Sequence, residues 1–187
     1  MALTTIDINT ALIIVDLQNG TAGAPLIHPF RDIVDRSRAL ADACRQHSLP
    51  VVVVNVAGTA PGRTEQAPRF NTLPDGFSDI VPELEAKPDD IYITKHSWGA
   101  FATTDLEMLL REAGVTQVII TGVATGTGVE ATARQAYEAG FNVTIAVDAI
   151  TDVRPEAHEY SIRNVFPRLG ETGMSMDIIK LLNVRGR

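Results

Sequence analysis

The sequence is poor in cysteine, in aromatic residues and in long apolar runs. Its one cysteine, Cys44, excludes a disulfide within the chain and fits a reducing compartment. The longest apolar runs, 11–15 and 51–54, are far shorter than the roughly 20 residues of a membrane-spanning helix. The first residues lack the basic and apolar regions of a signal peptide. We therefore expect a cytoplasmic protein with no membrane partner.

Positive charge is also scarce: 16 Lys and Arg residues face 23 Asp and Glu residues, which gives a net charge of −7. Nucleic-acid binding depends on clustered basic residues, so we expect no nucleic-acid partner. A chain of 187 residues, 45% of them hydrophobic, can bury one well-packed core but hardly two. We expect a single domain over residues 1–187.

Apolar, β-branched segments alternate with helical patterns along the chain. The apolar segments are too continuous for half-exposed strands and predict parallel strands buried on both faces, at 11–15, 51–54, 91–94, 118–121 and 143–147. Helical periodicity predicts five helices, at 33–44, 105–113, 129–139, 156–166 and 175–182. A short strand is expected at 171–173, between the last two helices. This alternation predicts an α/β sandwich with a mainly parallel sheet. The long irregular segment 56–90 indicates a functional loop.

A glycine-rich segment, 122–132, follows the fourth predicted strand and enters a helix near Gly128. The free backbone N–H groups at such a helix start favour an anion or oxyanion. Residues 126–131 match the dinucleotide fingerprint G-x-G-x-x-G/A, with Asp148 placed as a ribose-binding acid. Alternatively, the turn is a nucleophile-type elbow with glycine in the nucleophile's place. The dinucleotide interpretation is weaker, because that fingerprint usually follows the first strand.

Polar side chains follow three other predicted strands. Asp16 comes after the first, Asn55 after the second and Lys95 after the third. Ligands of such folds bind beyond the carboxyl ends of the strands, where an acid and a lysine can move a proton and contact an anionic group. Either residue alone is explained as well by a helix cap or a surface charge. Their occurrence together with the glycine-rich segment points to a site.

Three segments resemble the signature segments of the isochorismatase-like hydrolase superfamily: VDLQN at 15–19, TKHSWGAF at 94–101 followed by TDL at 104–106, and GVATGTGVEATAR at 122–134. The resemblance continues through 147–149 and 166–170. It implies a three-layer α/β/α sandwich with six mainly parallel strands in the order 3-2-1-4-5-6. It also implies a homo-oligomer, a dimer or tetramer, and a small-molecule substrate.

Most members of this superfamily carry an Asp–Lys–Cys triad in which the cysteine attacks the substrate. The resemblance places the Asp at Asp16, the Lys at Lys95 and the Cys at Gly128, so the nucleophile is missing. Cys44 is no substitute, because it lies on the apolar face of a predicted helix. The resemblance further implies a cis peptide between Val123 and Ala124, which would turn the N–H groups of Ala124 and Gly128 toward one point as an oxyanion hole.

True isochorismatases also carry glycine at this position, because hydrolysis of a vinyl ether needs protonation and water attack but no covalent intermediate. We therefore expect a hydrolase that acts on a small, anionic molecule by Asp/Lys acid–base catalysis, at a vinyl ether or a related C–O or C–N bond. A catalytically silent protein that binds a small molecule or a partner on the same scaffold is the alternative. Fold resemblance supports the architecture better than the reaction.

Other residues are candidates for the substrate pocket. Trp98 and Phe101 would supply an apolar wall, or would pack in the core or between subunits. Arg63 and Arg69 would bind a carboxylate through forked contacts, or would be solvated like most loop arginines. The remaining candidates are polar residues near the strand ends: Gln18, Asn55, Thr125 and Thr127.

We expect no metal and no other cofactor. None of the four histidines has a metal-ligand partner at a suitable spacing along the chain. Nicotinamidase-like members carry an Asp-x-His metal motif after the second strand, whereas this chain has Asn55-Val-Ala-Gly58.

Overall fold

The computed structural model describes residues 3–66 and 72–185. Six parallel strands form one sheet in the order β3-β2-β1-β4-β5-β6. The strands are β1 (Thr10–Val15), β2 (Val51–Val56), β3 (Ile91–Lys95), β4 (Gln117–Val123), β5 (Asn142–Thr151) and β6 (Glu171–Gly173). The predicted fold and strand order are thus confirmed. The order reverses at β1 and β4, so a crevice is expected at their carboxyl ends.

The helices are α1 (Asn19–Ala22), α2 (Phe30–Gln46), α3 (Leu106–Glu112), α4 (Glu130–Glu138), α5 (Pro155–Tyr160), α6 (Phe166–Leu169) and α7 (Ser175–Val184). Wider π-helical turns precede α4 and α6, at Thr125–Val129 and Ser161–Val165, and a 3₁₀ turn covers Pro82–Leu84. The predicted helix 156–166 is therefore α5, a π turn and the start of α6. No periodicity predicts α1 or the 3₁₀ turn, because each is about one turn long.

Two hydrophobic cores flank the sheet. Along β1, Ala11, Ile13 and Val15 face one core, whereas Leu12 and Ile14 face the other. Helices α3, α4 and α6 cover the first core, and α2 and α7 cover the second. Burial on both faces explains why the central strands read as unbroken apolar runs.

The prediction that every strand is buried on both faces is wrong for β3. This strand lies at the edge of the sheet and pairs with β2 alone. Its residues alternate, with Tyr92 and Thr94 exposed and Ile93 and Lys95 buried. A strand at the sheet edge needs only one apolar face, and the alternating pattern is what such a strand shows.

The irregular segment after β2 is anchored over the carboxyl ends of the strands by Gln18. The Gln18 side chain donates to the carbonyl oxygens of Val56 and Phe77, both at 3.0 Å, and accepts the Val56 N–H at 2.8 Å. A Cβ atom on Gly20 would lie 2.3 Å from the Phe77 ring, so the glycine permits this close approach. The segment therefore lies where a ligand of this fold would bind. None of the described helices has the length and apolar character needed to cross a bilayer.

Candidate active site

Asp16 and Lys95 form a buried ion pair at the carboxyl ends of β1 and β3. The Lys95 Nζ donates to Asp16 Oδ2 at 2.8 Å and to the Ser97 carbonyl at 3.2 Å. Asp16 is 6% exposed and Lys95 is 1% exposed. Lys95 therefore reaches across β2, which separates β3 from β1, and its charge is balanced inside the protein.

The backbone of Asp16 adopts the left-handed conformation, with φ of 54°. This conformation is unfavourable for a residue with a side chain. It is held by the Asp16 N–H, which donates to the Val54 carbonyl at 2.9 Å, and by the Thr21 hydroxyl, which donates to the Asp16 carbonyl at 2.6 Å. The sharp bend leads the chain from β1 directly into α1, and strain of this kind is typical of functional positions.

The electrostatic state of Asp16 suits proton transfer. Burial raises the pKa of its carboxyl to about 6, although the charge and hydrogen bond of Lys95 oppose the rise. Among the described residues, the Asp16 Oδ1 atom has no hydrogen-bond partner. A carboxyl group that titrates near pH 6 can give or take a proton close to neutral pH.

Gly128 lies beside this pair, in the π-helical turn Thr125–Val129. A Cβ atom there would lie 3.2 Å from Asp16 Oδ2, 3.2 Å from Val15 Cγ1 and 3.1 Å from the Val123 carbonyl oxygen. These distances are shorter than ordinary contacts, so the surroundings fit glycine closely. The peptide bond between Val123 and Ala124, just before the turn, is cis. The structure thus brings together the three residues that the resemblance aligns with the triad.

A cleft of about 220 Å³ opens above these residues. Of the candidates from the sequence, Asp16, Lys95, Gly128, Thr127 and Trp98 line it. The lining also includes residues that sequence reasoning missed: Val56, Gly58, Thr59, Leu73, Phe77 and Ser97. Most of these belong to the irregular segment, whose length indicated function without indicating which side chains face the site.

Four predicted pocket residues lie outside this lining, and the structure corrects their placement. Gln18 is fully buried and binds backbone groups, as described above. The Asn55 Nδ2 donates to the Ser78 carbonyl at 2.8 Å, Thr125 is bonded to a histidine on α5, and the Phe101 ring packs against Phe141 at 5.9 Å. Each side chain satisfies an internal contact instead of facing the cleft.

The two loop arginines have different outcomes. Arg63 is exposed and is not among the residues that line the cleft. Arg69 lies outside the described residues.

The dinucleotide interpretation loses both of its key groups. The Asp148 carboxylate accepts the Ser175 N–H at 2.6 Å and the Ser175 hydroxyl at 2.7 Å, and thereby caps α7. The Gly126 N–H donates to the Asp152 carboxylate at 2.7 Å. The Asp148 carboxylate, expected to bind a ribose, and the Gly126 N–H, expected to bind a phosphate, are therefore both hydrogen-bonded within the protein. Over residues 3–66 and 72–185, no group of three His, Cys, Asp or Glu side chains could hold a metal ion.

Comparison with known proteins places the chain in a family. The family model for the isochorismatase domain matches residues 10–176. An uncharacterized isochorismatase family protein of Escherichia coli O157:H7, YecD, is 37% identical over an alignment of 182 positions, which covers 92% of this chain and 96% of that protein. The isochorismatase of Bacillus subtilis strain 168 is 28% identical over an alignment of 188 positions, which covers 94% of this chain and 59% of that protein.

The solved structures agree with the sequence matches. The structure of an isochorismatase family protein from Burkholderia thailandensis has a TM-score of 0.92 and 35% sequence identity to this chain, and the match covers 96% of this chain and 98% of that one. The solved structure shares the α/β fold of this chain, and the family model and the relatives agree with it on the family. This chain therefore belongs to the isochorismatase family of hydrolases.

Proposed function

We propose that the protein hydrolyses a small, anionic molecule by acid–base catalysis at Asp16 and Lys95, without a covalent intermediate. The observation that carries this proposal is the buried Asp16–Lys95 pair at the floor of a cleft, beside a position where glycine leaves no side chain to attack. The bond cleaved is a vinyl ether or a related C–O or C–N bond. The similarity to a protein named isochorismatase also supports this proposal.

The chemistry follows from the protonation state of Asp16. Its carboxyl group, protonated at or below about pH 6, donates its proton to the enol-ether carbon. Water then adds to the cation that forms and returns a proton to the Asp16 carboxylate, so the acid is regenerated. The adduct breaks down to a carbonyl compound and an alcohol. Lys95 stabilises the carboxylate that remains between the two proton transfers.

Lys95 also supports the binding of an anionic substrate. An ammonium group has three N–H donors, and two of them are engaged by Asp16 and Ser97. The third donor serves a substrate carboxylate. If a C–N bond is cleaved instead, the backbone N–H groups of Ala124 and Gly128 stabilise the developing oxyanion.

The second candidate function is binding without catalysis. The observation that favours it is the close packing around Gly128, which leaves little room for the side chain of a nucleophile. Such a site would keep its cleft and its charged pair, and so could bind a ligand without cleaving it. The two candidates differ in one measurable property, which is turnover.

The test is a screen of the purified protein against isochorismate, small amides, ureides and N-carbamoyl compounds. We expect turnover of at least one compound, loss of most of it in Asp16→Asn, and no covalent adduct in the intact mass during turnover. The matched control is Asp90→Asn, because Asp90 also forms an ion pair, a partly buried one with Arg45 at 2.6 Å, but lies just before β3, at the end of that strand away from Lys95. Binding without turnover of any compound would favour the silent scaffold, and an adduct would overturn the mechanism.

A further inference from the structure

A second group of buried polar side chains lies directly behind the turn that carries Gly128. The Thr125 hydroxyl and the His158 Nδ1 atom are 2.8 Å apart, and Thr125 is fully buried. At the next residue, the Gly126 N–H donates to Asp152 Oδ2 at 2.7 Å. Two consecutive residues of the turn are therefore bound by side chains from two different elements, α5 and the end of β5.

The contacts on the far side show that these side chains are themselves fixed. The other Asp152 oxygen, Oδ1, accepts the Arg154 N–H at 3.0 Å, and Asp152 is 1% exposed. The His28 ring meets the His158 ring edge-on at 5.0 Å, and the His28 Nδ1 lies 3.1 Å from the Thr151 hydroxyl. The network is thus braced by the loop before α2 and by β5.

Gly126 allows α5 to approach the turn. A Cβ atom on Gly126 would lie 2.9 Å from the Ala157 Cβ and 3.4 Å from Asp152 Oδ2. The glycine therefore makes room for the helix that carries His158. Glycine at positions 126 and 128 also makes the turn harder to order, because glycine loses more conformational entropy on folding than a residue with a side chain does.

We propose that Thr125, His158 and Asp152 form a positioning network that fixes the turn bearing Gly128 opposite Asp16. The inference rests on the proposed function, because it assigns the turn a place in the reacting site. A site without a covalent nucleophile depends on preorganised backbone groups, and misplacement by about 1 Å can cost about 100-fold in rate. The network supplies the rigidity that the two glycines remove.

Thr125 acts by position and is not itself the nucleophile. Its hydroxyl faces the imidazole like the serine of a catalytic pair, but Thr125 does not line the cleft that Asp16 and Gly128 line. Burial and the neighbouring His28 lower the pKa of His158 from its ordinary value of 6.5, so the imidazole is neutral at pH 7. A neutral ring bonds the hydroxyl in either tautomer, as donor or as acceptor.

The first test follows backbone hydrogen exchange in the free protein and needs no substrate. In Thr125→Val, amides in a peptide covering 124–130 should exchange about 10-fold faster than in the parent protein, because one buried hydrogen bond is lost. Thr125→Ser should exchange like the parent. The matched control is Thr121→Val in β4, since Thr121 is also fully buried and bonded to a side chain, the Ser37 hydroxyl at 3.0 Å. Equal effects of the two valine variants on 124–130 would overturn the proposal.

The second test measures steady-state kinetics with isochorismate, or with the amide turned over fastest in the screen if isochorismate is not a substrate. Thr125→Val and His158→Leu should each lower kcat about 10- to 100-fold with little change in KM, and the double variant should be no worse than either. Thr125→Ser should restore most of the kcat. A loss confined to KM, failure of the serine variant, or a covalent adduct on Thr125 would contradict the positioning role.

The two tests separate the inference from the proposed function. If no compound is turned over, the proposed function fails, and the exchange experiment alone decides whether the network holds the turn. If turnover is found but Thr125→Val leaves both exchange and kcat unchanged, the proposed function stands and the network is refuted.

Discussion

Asp16 combines burial, a left-handed backbone and an ion pair in one residue. Its raised pKa means that the folded protein binds a proton there more readily than the unfolded chain does. The contribution of this group to stability is therefore fully present below pH 3.8 and is lost as the pH rises through about 6. At neutral pH the protein holds a carboxylate where burial disfavours its charge, and such a perturbed pKa is what the proposed catalytic role of Asp16 requires.

The pH dependence of activity should identify the role of Asp16. If Asp16 donates the proton, kcat/KM should be constant at low pH and should fall about 10-fold per pH unit above pH 6, because the protonated carboxyl disappears. Initial rates between pH 4.5 and 8.5 measure this, a range set by the raised pKa of about 6. The residual activity of Asp16→Asn should lack the inflection. A rate that rises with pH through 6 would show that Asp16 works as a base.

The space at Gly128 gives a second prediction at the residue scale. Gly128→Ala should lower the free energy of unfolding by about 1 to 3 kcal/mol, because the new methyl group would press on Asp16, Val15 and the Val123 carbonyl. Urea denaturation measures the change. Gly23→Ala is the matched control, since a Cβ atom there meets nothing within 4 Å. Equal stability of the two variants would mean that the surroundings of Gly128 relax readily.

At the scale of elements, Gln18 connects β1, β2 and the irregular segment that covers the cleft. Gln18→Ala should cost about 1 to 3 kcal/mol of stability, since it leaves buried backbone groups unpaired, and should also weaken ligand binding or turnover. The matched control is Gln117→Ala. Gln117 is also buried and bridges several groups, including the Asp7 N–H at 2.6 Å and the Thr144 hydroxyl at 3.0 Å, but it lies at the start of β4.

Chemical denaturation and ligand titration of both variants test this assignment. We expect similar losses of stability and a loss of cleft function in Gln18→Ala alone. If Gln117→Ala impairs the cleft as much as Gln18→Ala does, then the effect is general destabilisation and the anchoring role fails.

At the scale of the molecule, contacts between distant parts of the chain should make unfolding cooperative. The Thr4 N–H donates to the Glu171 side chain at 2.8 Å, and Arg185 donates to the Ile8 carbonyl at 2.8 Å. The single domain stays a prediction, and it requires one unfolding transition. Far-UV circular dichroism and thiol labelling of Cys44, which is fully buried, should give the same midpoint in urea. Two separate midpoints would contradict it.

The predicted dimer or tetramer also belongs to this scale. Several large apolar side chains are exposed, among them Trp98 at the cleft, which is 66% exposed. Single exposed side chains are ordinary, so they do not decide the matter. Light scattering coupled to size-exclusion chromatography should give two or four times the chain mass, and a monomer at micromolar concentration would contradict the prediction.

The sequence predicted the fold well where periodicity carries the information. Apolar runs located the five longer strands, and in the four other than β3 their continuity reflects burial on both faces. The sequence-based prediction missed α1, because a helix of one turn is too short to show a periodicity. It also misjudged the burial of β3, which is half exposed because it forms the edge of the sheet. The contact between Asp16 and Lys95 was predictable because each lies at the carboxyl end of its strand, and the carboxyl ends of parallel strands lie on the same side of the sheet.

The sequence by itself determined the strand pattern, the family and the absence of a cysteine at position 128, since each depends on residue types in order along the chain. Only the tertiary structure decided which polar residues face the cleft. Thr125 and Thr127 are two residues apart in one turn, yet Thr125 is bonded to His158 and Thr127 lines the cleft. His158 itself lies on a helix 33 residues further along the chain. Such assignments depend on which distant element packs against each side of a turn, and sequence order does not contain that information.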